Sequence, residues 1–333
     1  MTAIEAQELT KSYADGTFAV KGVSFTVGHG EIFGCLGRNG AGKSTTVRML
    51  ATLSRPTSGQ ARILGHDVVA EQADVRRLIG VSMQEAALDD LMTGREHLEL
   101  LATLCGLRSA AARVRVDDLL ERFGLTDAAD RVTAAYSVGM RRRLDAALAL
   151  LPGPAVLFLD EPTTGLDPQS RRALWKQVTD FRDEGGTVLL TTQYLDEADA
   201  LCDRVAILER GEIGVLDTPQ ALKRRLGGKV VRVPVDDAAA RQRAADGLGD
   251  IPCRLEDGAL LVDVTDGDEL IRSLHALGAA GVDLTAVTVS DPTLEDAFVR
   301  LTGAGLDDRG GSDEAVGVAA IGRSVATARG GSR

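Results

Sequence analysis

Cysteine is scarce in this 333-residue chain. It occurs four times, at Cys35, Cys105, Cys202 and Cys253, with no C-x-x-C pair. That spacing excludes a disulfide framework or a cysteine metal site as the organising device and implies free thiols in a reducing compartment. Positive charge is also short: 38 Lys+Arg face 49 Asp+Glu, for a net charge of −11. A net-acidic chain repels the phosphates of nucleic acids and anionic lipids, so a general nucleic-acid binder is excluded. One local, preorganised phosphate site remains compatible with that charge. Long apolar runs are missing too. The charge-free stretch at residues 146–159 is broken by Pro152, Gly153 and Pro154, whereas a membrane span needs roughly 18 apolar residues or more. No basic segment followed by an apolar stretch opens the chain, so no signal peptide is expected. There are no internal repeats.

What is present is ordinary globular material, 44% hydrophobic and 26% charged. At ~150 residues per domain the length suggests roughly two domains. Residues 1–222 alternate short β-like runs with helical patterns. Strands are expected at 23–27, 31–36, 155–159 and 187–192, and a hairpin at 205–208 and 212–216 around Glu209, Arg210 and Gly211. Helices are expected at 45–53, around Leu144, Ala147, Leu148 and Leu151, and from Asp196. Strand–helix alternation predicts an α/β fold with a mostly parallel sheet covered on both faces. From Lys229 the texture changes to a small α+β unit, with strands at 229–235, 259–264 and 284–290 and helices at 268–277 and 293–301. The expected division is 1–222 with a helical subdomain at about 86–150, an accessory unit at 223–302, and a Gly-, Ala-, Ser- and Arg-rich flexible tail at 303–333.

Gly37, Arg38, Asn39, Gly40, Ala41, Gly42, Lys43, Ser44 and Thr45 match G-x-x-x-x-G-K-[ST] in full. An apolar run precedes the loop and a helical pattern follows it. Glycines let successive N–H groups turn into one concavity, and the helix N-terminus adds partial positive charge. Lys43 would reach the β- and γ-phosphates of a nucleotide, and Ser44 would offer a hydroxyl to Mg²⁺. Downstream, Val156, Leu157, Phe158 and Leu159 lead into Asp160 and Glu161. Asp160 would hold the cation, and Glu161 would position or deprotonate the attacking water.

In their order along the chain, these elements resemble the ATPase subunits of ABC transporters. Four further features carry the resemblance. Tyr13 is placed like the aromatic that stacks on adenine. Gln84 is similar to the glutamine that touches Mg²⁺ and reports to a membrane partner. Tyr136, Ser137, Val138, Gly139 and Met140 stand where the family's signature belongs, 23 residues separating Ser137 from Asp160. Asp167, after Gly165 and Leu166, matches the loop that crosses to the opposite subunit, and Gln193 occupies the place of a switch histidine. The resemblance implies a P-loop ABC-type ATPase domain with an antiparallel edge and a helical subdomain. It implies catalytic roles for Lys43, Glu161 and Gln193, and nucleotide contacts from Tyr13, the phosphate loop, Asp167, and Ser137 with Gly139 of a second copy. ATP and Mg²⁺ are the implied cofactors. A homodimer closing on ATP and a separate transmembrane subunit are the implied partners, at the cytoplasmic face of the membrane, with no nucleic acid.

The arginine-rich signature region, the stretch Thr191-Thr192-Gln193-Tyr194-Leu195-Asp196-Glu197-Ala198-Asp199 and the closing Asp291-Pro292-Thr293-Leu294-Glu295-Asp296-Ala297-Phe298 are similar to the daunorubicin-resistance branch. That branch implies efflux of a hydrophobic drug or antibiotic. Two departures bear on activity. Val138 stands where a glycine is usual, and its β-branched side chain is costly only if the backbone there needs a positive φ. Gln193 can donate a hydrogen bond to a γ-phosphate but cannot become a cation. A slow but active ATPase follows. The alternatives are a soluble ABC-type ATPase acting on ribosomes or DNA, and a non-hydrolysing regulatory subunit. The run Arg141, Arg142 and Arg143 reads either as a solvated face or as a direct participant. Leu98, Leu100, Leu101 and Leu104 read as a core-packing helix face, or in part as a groove for a partner helix. None of the four histidines has ligand spacing.

Overall fold

The computed structural model describes residues 1–302 apart from Glu85, Ala86, Arg108, Gly227, Asp236 and Asp257. The tail expected at 303–333 lies outside the described residues. The chain opens with an antiparallel hairpin of β1 (Thr2–Ser12) and β2 (Phe18–Gly28). It then enters β3 (Ile32–Leu36) and, through the phosphate loop, α1 (Lys43–Leu50). β4 (Ser58–Ile63) and β5 (His66–Asp67) widen the hairpin into a sheet ordered β2-β1-β4-β5. Next come α2 (Gln72–Leu78) and β6 (Ile79–Ser82). A helical segment follows, made of α3 (Gly94–Leu104), α4 (Ser109–Arg122) and α5 (Val138–Leu150). The body closes with β7 (Val156–Asp160), α6 (Pro168–Asp183), β8 (Thr187–Thr192), α7 (Leu195–Leu201), β9 (Arg204–Glu209), β10 (Glu212–Asp217) and α8 (Pro219–Leu226).

The central sheet runs β10-β9-β3-β8-β7-β6, parallel except for the β9–β10 hairpin. β3, β7 and β8 are buried at every position, the pattern expected of parallel strands covered on both faces. Alternation divides them between two cores. Phe33, Cys35, Val156 and Phe158 pack toward α1 and the antiparallel sheet. Ile32, Leu36, Leu157 and Leu159 pack toward the helices. The expected leucine face on α3 divides in the same way. Leu98 is fully buried, whereas Leu100 and Leu104 are 49% and 75% exposed and do not serve the core. Leu98 shares its turn with buried His97 and Ala102, and the i, i+4 pair Leu100 and Leu104 lies outside that inward stripe.

Beyond α8 come β11 (Lys229–Pro234), α9 (Ala238–Leu248), β12 (Cys253–Glu256), β13 (Ala259–Val264), α10 (Gly267–Ala279), β14 (Thr288–Ser290) and α11 (Leu294–Thr302). An antiparallel sheet ordered β12-β13-β11-β14 packs with α9 and α10 over its own core, including Val231, Val262, Ala244 and Leu277. Sequence periodicity missed α9 and β12, which are short and alanine-rich or charged. The strand expected at 284–290 is instead a 3₁₀ turn, Leu284–Ala286, followed by β14, because Asp283 caps the turn by accepting from Thr285 N at 2.9 Å. The closing motif also departs from a self-contained unit. Leu294, Ala297 and Phe298 of α11 are buried in the main core with Leu201 and Leu222. Asp296 meanwhile pairs with Arg254 of β12 and accepts from Thr293 N at 2.6 Å. α11 therefore fastens the small sheet to the body. Among the described residues, no helix is long and apolar enough to cross a membrane.

Candidate nucleotide-binding site

The loop between β3 and α1 works only with glycine at Gly42. Its φ is 103°, and a Cβ there would stand 2.5 Å from Ala19 O. The helix starts at Lys43, two residues earlier than the sequence pattern suggested. Lys43 is 3% exposed, and its Nζ donates to Gly37 O at 2.6 Å and Arg38 O at 3.3 Å. It also pairs with Glu161 Oε1 at 3.2 Å. Above this pair lies a cavity of about 420 Å³. Its lining includes Asn39, Gly40, Ala41, Gly42, Lys43, Ser44, Thr45, Gln84 and Glu161, so most of the expected loop contacts share one space.

Asp160 ends β7 beneath that cavity, fully buried. Its Oδ1 accepts from Ser44 Oγ at 2.9 Å and from Thr191 Oγ1 at 2.6 Å. Its Oδ2 is buried without a hydrogen-bond partner. An orphaned carboxylate oxygen is costly without a counter-charge. Beside a serine hydroxyl, and with the amide of Gln84 on the same cavity, the donor set is all oxygen and suits a hard divalent cation such as Mg²⁺. Glu161 has φ 50°, a left-handed conformation that costs a non-glycine residue on the order of 1 kcal/mol. Its N–H donates to Thr191 O at 3.0 Å, and Thr164 Oγ1 donates to its Oε2 at 3.3 Å. The turn takes the side chain off the strand and aims it at Lys43.

Several expected residues lie elsewhere. Tyr13 is 44% exposed and is not among the cavity's lining residues, whereas Thr17 and Phe18, four and five residues further along the same hairpin, are. Gln193 is half-buried just past β8 and also falls outside that lining. Ser137 caps α5, accepting from Met140 N at 3.2 Å, and Asp167 caps α6, accepting from Gln169 N and Ser170 N at 3.0 Å. The Ser170 hydroxyl and amide hold the Asp167 carboxyl below the usual carboxylate range. The two caps are neighbours: a Cβ on Gly139 would lie 3.1 Å from Ser170 Oγ. Ser137, Gly139 and Asp167 thus gather on the surface, away from the chain's own phosphate loop.

Val138 is the first residue of α5 and has no positive φ, so the backbone penalty considered from sequence does not arise. Its side chain is 60% exposed. Val138→Gly is accordingly expected to change ATP turnover by less than about twofold, since glycine at a first helical turn costs under roughly 1 kcal/mol. A several-fold gain in a steady-state phosphate-release assay would make Val138 a brake after all.

The arginine run is structural wiring and not a solvated face. Arg141 donates to Asp90 Oδ1 at 2.6 Å and Thr133 O at 3.0 Å, and Arg143 to Phe123 O at 2.7 Å. Buried Arg142 donates to Met83 O at 2.8 Å and to Gln84 O. Thr191, which binds Asp160, was also missed by sequence reasoning, because its run read only as strand. His97 is buried against Thr93 O and Asp89 N, a packing role. Burial pushes the Cys35 thiol up to about 12 and raises Cys202 as well, so neither offers a thiolate.

Asp145, one turn beyond Arg142, accepts from Ser82 Oγ. Burial pushes its carboxyl from 3.8 up to about 6, against the opposing pull of Ser82 and Arg142. The folded chain therefore holds this proton more tightly than the unfolded one. Stability should fall as pH rises from about 4 to about 6 and level off above, by up to roughly 3 kcal/mol. Asp145→Asn should raise Tm at pH 7.5 and leave it unchanged at pH 4. An equal Tm difference at both pH values would refute the titration.

The family model described as ABC transporter matches residues 20–164. The daunorubicin/doxorubicin resistance ATP-binding protein of Streptomyces peucetius is 46% identical over 312 residues, covering 92% of this chain and 94% of that protein. The doxorubicin resistance ATP-binding protein of Mycobacterium tuberculosis is 41% identical over 309 residues, covering 90% and 93%. A dimeric ATP-binding cassette in a post-hydrolysis state, bound to ADP and Pi, superposes with TM-score 0.61 at 25% identity, covering 65% of this chain and 98% of that one. With its complete phosphate loop, its acidic strand end and relatives that match nearly its whole length, the chain belongs to the ATP-binding subunits of ABC transporters, in the daunorubicin/doxorubicin-resistance group, and is an ATPase.

Proposed function

We propose that two copies of this chain close head to tail on two MgATP and so drive a separate membrane subunit that exports a hydrophobic drug or antibiotic. The observation that carries the reading is the Lys43–Glu161 pair at the phosphate loop, together with the buried, unpartnered Oδ2 of the adjacent Asp160. Loop amides and Lys43 would take the β- and γ-phosphates, releasing Glu161 from its ion pair to orient the attacking water. Bound between Ser44, Asp160 and Gln84, Mg²⁺ would supply charge neutralisation of the phosphates. Tyr13, at the hairpin turn, would cover the base, and Gln193 would donate to the γ-phosphate. Ser137 and Gly139 of the second copy would close the other side, with Asp167 beside them. Gathering of those groups on the surface supports a site completed in trans, as does the dimeric state of the related cassette.

Exposed Leu91, just before α3, and exposed Leu100 and Leu104 on α3 would offer apolar surface to the membrane partner, which would hold the chain at the cytoplasmic face. Resistance to daunorubicin and doxorubicin, named for the relatives, supports the substrate class. The test is ATP turnover of the chain co-purified with its membrane subunit in lipid vesicles. Stimulation of about twofold or more by an anthracycline is expected, and a flat response across hydrophobic drugs would sink the export reading.

A further inference from the structure

The segment that carries Gln84 is bonded to one helix at consecutive residues. Ser82 Oγ donates to Asp145, Met83 O accepts from Arg142 at 2.8 Å, and Gln84 O accepts from the other Nη of the same guanidinium. Arg142 and Asp145 lie three residues apart, on one face of α5. Met83 and Gln84 follow the end of β6, beyond its last residue paired to β7, so the flat guanidinium fork supplies both carbonyls with a donor. Arg142 is 9% exposed, which keeps both bonds out of water. Its two neighbours in the run bind other segments, so Arg142 alone of the three reaches the cavity wall.

The N-terminal end of α5 is the Ser137 cap. At 1.5 Å per residue, Arg142 stands only about 6 Å along the helix from its first residue. A displacement of Gln84 is therefore carried to Ser137 by a short, stiff lever. We infer that Arg142 is a positioning residue that makes Gln84 and the capped start of α5 move together. Filling one subunit's cavity would then set the α5 end which that subunit offers to its partner. The inference rests on the proposed roles of Gln84 beside the phosphates and of Ser137 as a second half-site.

The test uses the full chain carrying Glu161→Gln, so that MgATP is held without turnover. Adding Arg142→Met should leave the monomer's affinity for a fluorescent ATP analogue within about threefold and its Tm within a few degrees. MgATP-driven dimerisation, followed by sedimentation, should need about tenfold more protein. Arg142→Lys, which keeps one donor group, should restore part of the loss. Unchanged dimerisation overturns the inference. So does a loss of ATP affinity equal to the loss of dimerisation, because Arg142 would then only shape the cavity. If the methionine variant does not melt cooperatively, Arg142→Gln is measured instead, and unchanged dimerisation of that folded variant is equally fatal. If the Glu161→Gln chain itself does not dimerise with MgATP, the half-site reading falls and the inference falls with it.

Discussion

Glu161→Gln should reduce ATP turnover by about 10²-fold or more while leaving nucleotide binding intact. The glutamine keeps the size of the side chain and accepts from Thr164 Oγ1, but it can no longer take a proton from water or orient it by charge. It also removes the anion that holds Lys43 at 3.2 Å, so the lysine is freer to meet phosphate. ATP affinity should therefore stay level or rise as turnover collapses, and MgATP should accumulate in a dimer. Phosphate release and sedimentation with MgATP are the two measurements. Turnover that survives the substitution within a factor of about three would remove Glu161 from the chemistry.

Lys43→Met should abolish turnover as well, for a different reason, and with a cost to the resting fold. Lysine is the cation buried between the loop carbonyls and Glu161. Its loss leaves Glu161, 4% exposed, with an unpaired charge, which costs about 3 kcal/mol or more in a buried pair. It also removes the positive charge nearest the phosphates, so ATP affinity should fall by about 10-fold or more. The two effects separate in the double variant. Lys43→Met with Glu161→Gln should recover most of the thermal stability, because no buried charge is left alone, and none of the affinity. If the single variant melts like the parent chain, the Lys43–Glu161 pair carries no stability. If the double variant regains ATP affinity, Lys43 is not the phosphate ligand.

The legible parts of the site share one property: they are local. The phosphate loop, the acidic end of β7 and the capping serine at Ser137 each act through a few adjacent residues, so order along the chain was sufficient to find them. Val138 shows the limit of that reading. Its chemistry raised a concern about backbone strain, but φ at a helix start depends on where the helix begins, and α5 begins at that residue. Phe18 and Tyr13 mark a second limit. Both occupy one hairpin, and only its folding brings Phe18 and not Tyr13 to the lining of the phosphate cavity. The arginine run is a third. Three identical side chains in sequence fan out around the helix by about 100° each and so meet three different partners.

The sequence by itself determined a complete phosphate-binding loop, an apolar strand that ends in an acidic pair, and the lack of any apolar run long enough for a membrane-spanning helix. Those conclusions need only composition and short-range spacing, because loop amides, strand ends and helix caps are built by neighbours. Tertiary structure alone decided that Ser44 and Thr191 both donate to Asp160 Oδ1 and leave its Oδ2 without a partner, that Lys43 rests on Glu161, and that Arg142 holds Gln84. It also decided that α11 leaves its own sheet to bury Phe298 in the main core. Each of these joins residues distant in sequence, and for the contacts around Asp160 and Glu161 the parallel crossovers of the central sheet do it, because pairing there follows strand order and not chain order.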